Sequence, residues 1–311
     1  MTPIILLSLV QIILVPLVSP LIIGMIRKIK AFMQNRQGAP IIQPYYDLWK
    51  LFHKDEVISP DASWIFYGAP FLIFAISALL PLGIPLITTY PLFPFLSDFL
   101  VIIYLLALMT FFLALSGIDV GSAFGGFGSA REMTLTAVTE GTLVISLLAP
   151  VFITHTTNVI MMAHGIKTVP LENLLSLLFA FVSFIVVLLS ETKRFPFDNP
   201  ATHLELTMIH EAMILEYSGK RLALMEWASF NKFLFFTLLG VNLFFPWGLT
   251  STIAPFALFI SGIFVGIKVL SIAGFVALLE STIAKFRFFR LPDILLTAFI
   301  LGIISLTVSI F

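Results

Sequence analysis

The stretch PIILLSLVQIILVPLVSPLIIGMI, Pro3–Ile26, runs for 24 residues without a charge. A bilayer core about 30 Å thick is crossed by roughly 20 apolar residues of helix, so this segment predicts a membrane fold rather than a soluble one. It lacks the positive leading region and small-residue cleavage site of a secretory leader, and is expected to persist as a first helix. Of the 311 residues, 59% are hydrophobic and 11% charged, and mean hydropathy is +1.08. Soluble domains hold an apolar share nearer about half.

Seven further runs are long enough to span: Trp64–Thr88, Phe99–Leu115, Met133–Ile153, Leu171–Leu189, Phe233–Trp247, Ile253–Leu279 and Ile294–Phe311. The sixth has the least defined start, anywhere from Leu222 onward. The predicted fold class is therefore all-α, a polytopic protein of about eight transmembrane helices forming one domain over residues 1–311. Charge placement tests this threading separately. Counting alternate loops puts fifteen of the seventeen Lys and Arg on one side and only Lys167 on the other, with Lys268 inside a span. The positive-inside rule makes the first side cytoplasmic, with loops 27–63, 116–132, 190–222 and 280–293 there and both termini outside.

Net charge is zero and there is no cysteine. No basic footprint points to nucleic acid, and no disulfide, thiolate zinc site or Cys-ligated iron–sulfur cluster can form. The glycines of GIDVGSAFGGFGSARE, Gly117–Gly128, permit close backbone approach, but their spacing is not that of a phosphate-binding loop. Residues Tyr45–Phe52 read as a short amphipathic segment at the interface. No nucleophile–base constellation and no helical His-Glu-x-x-His occurs, and His53, His155 and His164 receive no role.

A charge at bilayer depth costs about 2.5 to 3.5 kcal/mol even on the mildest scale. Glu140 lies nine residues past Arg131, roughly 13 Å into the membrane, and Lys268 twelve residues before Glu280, roughly 18 Å in. The two are placed to meet near mid-depth, either as a packing ion pair or as a proton relay. Glu226 and Glu280 are shallower, at helix ends. The segment HLELTMIHEAMILEYSG, His203–Gly219, concentrates acids and histidines. Treated as one helix, Glu205 and Glu216 share a stripe within about 20°, His203 and His210 share a nearly opposite one, and Glu211 points elsewhere. That disfavours a metal site, whose ligands would fall at i and i+3 or i+4. With ETKRFPFDNP just before it, the segment reads as a rigid, acidic, cytoplasmic mouth.

Four motifs in order, NRQGAP…QPYYDLWKL, GSAFGGFGSARE…Glu140, ETKRFPFD…LEL…LEYSG and Lys268…AKFRF, cover nearly the whole chain. This pattern resembles the quinone-chamber membrane subunit of respiratory complex I and, more closely, the homologous subunit of hydrogenase-4 and formate-hydrogenlyase type complexes. The resemblance implies an anchor for a peripheral redox arm, in the cytoplasmic membrane, with no redox centre of its own. Iron–sulfur clusters and a NiFe centre would lie in partner chains: hydrogenase-like large and small subunits and an Fe–S subunit, with antiporter-like subunits alongside in the bilayer. It implies a proton path and chamber at Glu140, Glu191, Asp198, Glu205, Glu211, Glu216, Glu226, Lys268 and Glu280, and arm-docking or chamber-loop positions at Arg36, Asp47, Lys50, Arg131 and His203. Complex I subunits carry PFDLPEAExEL, where Ala201 and His203 stand here in place of two glutamates, and Glu280 matches the hydrogenase branch. The alternatives are a quinone-binding chamber of a complex I-type enzyme and a free-standing secondary transporter, although no paired halves are visible.

Overall fold

The computed structural model describes residues 2–89, 93–198, 208–252 and 254–310. In chain order its helices are α1 (Thr2–Met33), α2 (Gln43–Phe52), α3 (Trp64–Leu79), α4 (Phe99–Asp119), α5 (Ala123–Thr154), α6 (Val159–Ile166), α7 (Leu174–Glu191), α8 (His210–Ile214), α9 (Gly219–Phe244), α10 (Pro255–Thr282) and α11 (Leu291–Ile310). Eight of them, α1, α3, α4, α5, α7, α9, α10 and α11, are long and apolar enough to cross a membrane. The eight expected spans are all present, with shifted ends.

Local chemistry fixes several ends. Ser63 caps α3 by accepting from Ile65 N at 3.2 Å, and the Asp98 carboxylate caps α4 through Leu100 N at 2.9 Å. Both satisfy amides that a helix start leaves free. Asp119, closing α4, accepts from Ser63 N at 2.8 Å and so ties the end of one span to the start of another.

α9 is the axis of the bundle. It touches α1, α2, α3, α6, α7 and α10, and 67% of its spanning window is buried against 28% for α10 and 22% for α11. Its buried face is lined by Phe233, Phe235, Phe236 and Phe244, which together with Phe184 of α7 form an aromatic core. α5, α7 and α11 pack as a second layer, tied by Ser176 Oγ to Ser305 O at 2.7 Å and Ser183 Oγ to Ala298 O at 2.8 Å. Small hydroxyl residues let spanning helices approach closely and satisfy one another.

Three sequence expectations are corrected. The supposed glycine loop 116–132 is almost wholly helical, interrupted only between α4 and α5. A Cβ on Gly125 would lie 2.1 Å from Gly117 O, and one on Gly128 would lie 2.9 Å from Ala212 Cβ and 3.0 Å from Ile209 O. These glycines are contact points among α4, α5 and α8, so the expected close backbone approach is present, made by helices rather than by a loop. The sixth span begins at Gly219 rather than Phe233, because its first turns carry Arg221, Glu226 and Lys232 and their hydropathy is diluted. The segment 203–219 is not one helix: α8 ends at Ile214, and the chain turns before α9. Gly219 takes φ +54, where an added Cβ would lie 2.6 Å from Glu56 Cγ. Tyr217 stacks on Phe66 at 4.0 Å between centroids, so the helical-wheel stripes do not apply. α2 matches its amphipathic expectation, with Pro44 and Leu48 buried and Tyr46 and Trp49 exposed.

Candidate functional site: a charge-lined chamber

The end of the bundle carrying α2 and α8 encloses a cavity of about 590 Å³, lined from α1, α3, α4, α5, α7, α8, α9, α10 and connections between them. Among the described residues, six basic and six acidic side chains line it. Burying unpaired ions costs several kcal/mol each, and the chamber meets that cost by pairing. Glu280, in the last turns of α10, receives Lys30 at 3.2 Å and Arg194 at 3.1 Å. Glu132 of α5 receives Lys193 at 2.7 Å, and Glu191, closing α7, receives Lys232 of α9 at 2.7 Å. Asp198 accepts from Ile209 N at 3.1 Å, His210 N at 3.2 Å and Lys285 at 2.6 Å, which anchors the start of α8.

The turn after α7 makes this possible. Lys193 sits at φ +52, a left-handed conformation uncommon outside glycine, and its ammonium reaches inward to Glu132. Burial opposes the charge on Lys193, but the Glu132 and Glu191 carboxylates outweigh it and hold its pKa above the ordinary lysine value. Glu132 keeps one carboxylate oxygen buried without a hydrogen-bond partner among the described residues. Burial pushes the His210 imidazole down to about 4, so it is neutral at physiological pH. Glu211 is pushed up to about 7, first by burial and then by Glu226 and Asp198. It has no ion pair among the described residues, and it is the chamber acid poised to change charge near neutrality.

Of the residues expected from sequence, Arg36, Glu191, Asp198, Glu211, Glu226 and Glu280 line the chamber. Glu140 lies on α5 within electrostatic reach of Glu191 and Lys232, one step beyond the chamber wall. Asp47 pairs with the chamber residue Arg27 at 3.5 Å. Arg131 donates to Met208 O at 3.1 Å and lies 5.9 Å from the Phe288 ring, bracing α8 and the connection to α11. Lys50 is exposed on α2 and Glu216 is exposed beyond α8, and neither faces the cavity. His203 and Glu205 lie outside the described residues. The expected meeting of Glu140 with Lys268 does not occur: Lys268 donates instead to Phe245 O at 2.6 Å, past the far end of α9. Rise along a helix gives depth but not direction, and the Lys268 side chain leans toward the start of α10.

Sequence reasoning passes over Glu132, Lys30, Lys193, Arg194, Lys232 and His210 as site residues. In the sequence the basic ones speak only of sidedness. Glu132 opens the apolar part of α5 eight residues before Glu140, and that spacing is the available sign.

Fold and site together define a polytopic membrane protein whose bundle holds a charge-balanced chamber at one end and a carboxyl just beyond its wall. The chain belongs to the NADH dehydrogenase family, whose profile matches residues 5–310. It is 33% identical to hydrogenase-4 component C of Escherichia coli K12, covering 96% of this chain and 93% of that one. It is 29% identical to formate hydrogenlyase subunit 4 of the same organism, covering 92% of each. It is also 30% identical to a subunit of the NADH-quinone oxidoreductase of Thermomicrobium roseum, covering 85% of this chain and 82% of the other. A chain in the structure of the membrane-bound sulfane sulfur reductase, an archaeal respiratory membrane complex, shares the fold at a TM-score of 0.84 with 20% identity, over 98% of this chain and 99% of that one.

Proposed function

We propose that this chain is the proton-conducting membrane subunit that anchors the peripheral redox arm of a hydrogenase-4 or formate-hydrogenlyase type energy-converting complex. The observation that carries the reading is the Glu191–Lys232 pair, which belongs to the chamber on one side and faces Glu140 on the other. Lys232 is the cation that two carboxyls can share, so a change of charge or shape at the chamber alters which of them it neutralises. Electron transfer in the arm supplies that change. The acids that respond to it are Glu211, Glu226 and Asp198 at the chamber and Glu140 in the membrane, from which protons pass to antiporter-like neighbours. The redox groups, iron–sulfur clusters and a NiFe centre, reside in hydrogenase-like large and small subunits and an Fe–S subunit docked on the chamber end, with the complex in the cytoplasmic membrane.

Purification of the intact complex with metal analysis tests this directly. Nickel and iron co-purifying, with hydrogen evolution, support the reading; a chain that purifies alone sinks it. The relative of 30% identity from the NADH-quinone oxidoreductases supports a second reading, a quinone site at the chamber. Photolabelling of the Glu211 and Asp198 region by a quinone analogue, without nickel in the complex, would select it.

A further inference from the structure

At the end of the bundle away from the chamber, two lysines are held differently from the paired amines above. Lys167, in the turn after α6, donates to Leu249 O at 2.8 Å, while Lys268 donates to Phe245 O at 2.6 Å. Both ammonium groups thus converge on one turn, residues 245–249, that follows the last carbonyls of α9. They are close enough for Lys268 to feel the charge of Lys167. Neither has a carboxylate partner among the described residues, whereas Lys30, Lys193, Arg194, Lys232 and Lys285 at the chamber end each lie within 3.2 Å of one.

One cation at a helix C-terminus is favourable, because it completes the unpaired carbonyls and the helix dipole. A second on the same turn, in a setting of low dielectric, repels the first. An ammonium offers three hydrogens and each lysine spends one on a carbonyl, so two remain on each. Burial pulls the Lys167 pKa below the ordinary lysine value, as expected of a half-buried cation without an anion. Among the described residues the site is therefore rich in donors and has no negative acceptor.

The surroundings say which anion. On the turn itself Trp247 is 52% exposed, and on α10, at and below the level where the turn meets it, Phe264, Ile267 and Leu270 are 50%, 56% and 46% exposed. Gly248, at φ +91, brings the turn against Phe264, where an added Cβ would lie 2.8 Å from Phe264 Cβ. From the turn, the exposed apolar side chains of α10 continue toward its C-terminal end, with the two ammonium groups at their head. Tryptophan is enriched at the membrane–water boundary, which suits Trp247, and the long Lys268 stem carries its charge toward the outer end of α10, as snorkelling lysines do. Inorganic phosphate would have no use for the apolar side chains. A carboxylate on a neighbouring spanning helix would meet a lysine directed into the membrane plane, not one directed along its own helix toward the surface.

We propose that Lys167 and Lys268 bind the phosphodiester of an anionic phospholipid, whose acyl chains run inward along Phe264, Ile267 and Leu270 of α10. The site is separate from the chamber, and it does not depend on the function proposed above. The test uses the intact membrane complex purified in mild detergent, its retained phospholipids extracted and quantified. After delipidation, phosphatidylglycerol, phosphatidylcholine and inorganic phosphate are added back separately and the unfolding midpoint of the membrane arm is followed. The expected result is retained anionic phospholipid and a midpoint raised by phosphatidylglycerol alone. A Lys167→Gln/Lys268→Gln double variant should lose retained anionic lipid by about tenfold or more, the scale expected of two lysines at a membrane surface, while the corresponding arginine double variant keeps it. Equal protection by inorganic phosphate, unchanged lipid in the glutamine variant, or carbodiimide cross-linking of Lys268 to a neighbouring subunit in the native complex would each overturn the proposal. Should the glutamine variant fail to assemble, the add-back on the native complex and the arginine variant still decide.

Discussion

The Lys232 ammonium of α9 lies 2.7 Å from a Glu191 carboxylate oxygen at the end of α7, with Glu140 of α5 within its electrostatic reach. Three helices of the bundle therefore meet at a single cation between two acids. Replacing Glu140 by Gln leaves the Glu191–Lys232 pair intact but removes the second seat for the charge. The expected outcome is a coupled proton gradient reduced at least about tenfold, the cost of roughly 1.4 kcal/mol at a conducting step. Electron transfer measured with uncoupler present should stay near wild type. The gradient and the electron transfer are read in inverted membrane vesicles, and an unchanged gradient removes Glu140 from the path.

The pair itself predicts strong non-additivity. Glu191→Gln or Lys232→Met alone leaves an uncompensated buried charge and should destabilise the membrane arm by about 3 to 5 kcal/mol. The double variant exchanges both charges for neutral groups and should recover most of that loss. Thermal unfolding of the four proteins of the cycle measures it, and simple additivity would show that the two side chains are not paired in the folded protein.

Glu211 gives a dependence on pH with a definite sign. Its carboxyl stands at about 7 in the fold against an ordinary value of 4.5, so the folded state holds the proton more tightly. That protonated-state advantage is present below pH 4.5 and is lost as pH rises through 7. Glu211→Gln should therefore be more stable than wild type at pH 8, by at most about 3 kcal/mol, with the difference closing toward pH 5. Unfolding midpoints at the two pH values check it, and a gap that widens on acidification contradicts it.

The glycine contacts supply a packing prediction. Gly125→Ala would put a methyl group 2.1 Å from Gly117 O, a backbone atom that cannot rotate away. α4 and α5 must then separate, costing about 1 to 3 kcal/mol or more and loosening the α8 side of the chamber. Gly126→Ala, where nothing lies within 4 Å, is the control and should be tolerated. Assembly yield and unfolding midpoint distinguish the two.

The five expected acids that line the chamber, Glu191, Asp198, Glu211, Glu226 and Glu280, are conspicuous in the sequence because charge is rare in so apolar a chain. The partners of the three that form ion pairs, Glu191, Asp198 and Glu280, were not legible. Lys30 and Glu280 are 250 positions apart, and no periodicity links them. The Glu205–Glu216 stripe failed for a related reason: a regular wheel presumes an unbroken helix, and Gly219 and the stacked Tyr217 mark a turn that only neighbours from the α2–α3 connection and α3 enforce.

What the sequence determined by itself was the solvent and the number of crossings. Each span must satisfy its own backbone in lipid, so length and hydropathy of a single segment suffice, and Pro3–Ile26 could be read without knowing any other helix. What the tertiary structure decided was direction. Glu140 faces Glu191 and Lys232, while Lys268 turns to the far end and Phe245. The rotation of each helix about its axis depends on which neighbours close-pack against it, and that is a property of the assembled bundle rather than of any one segment.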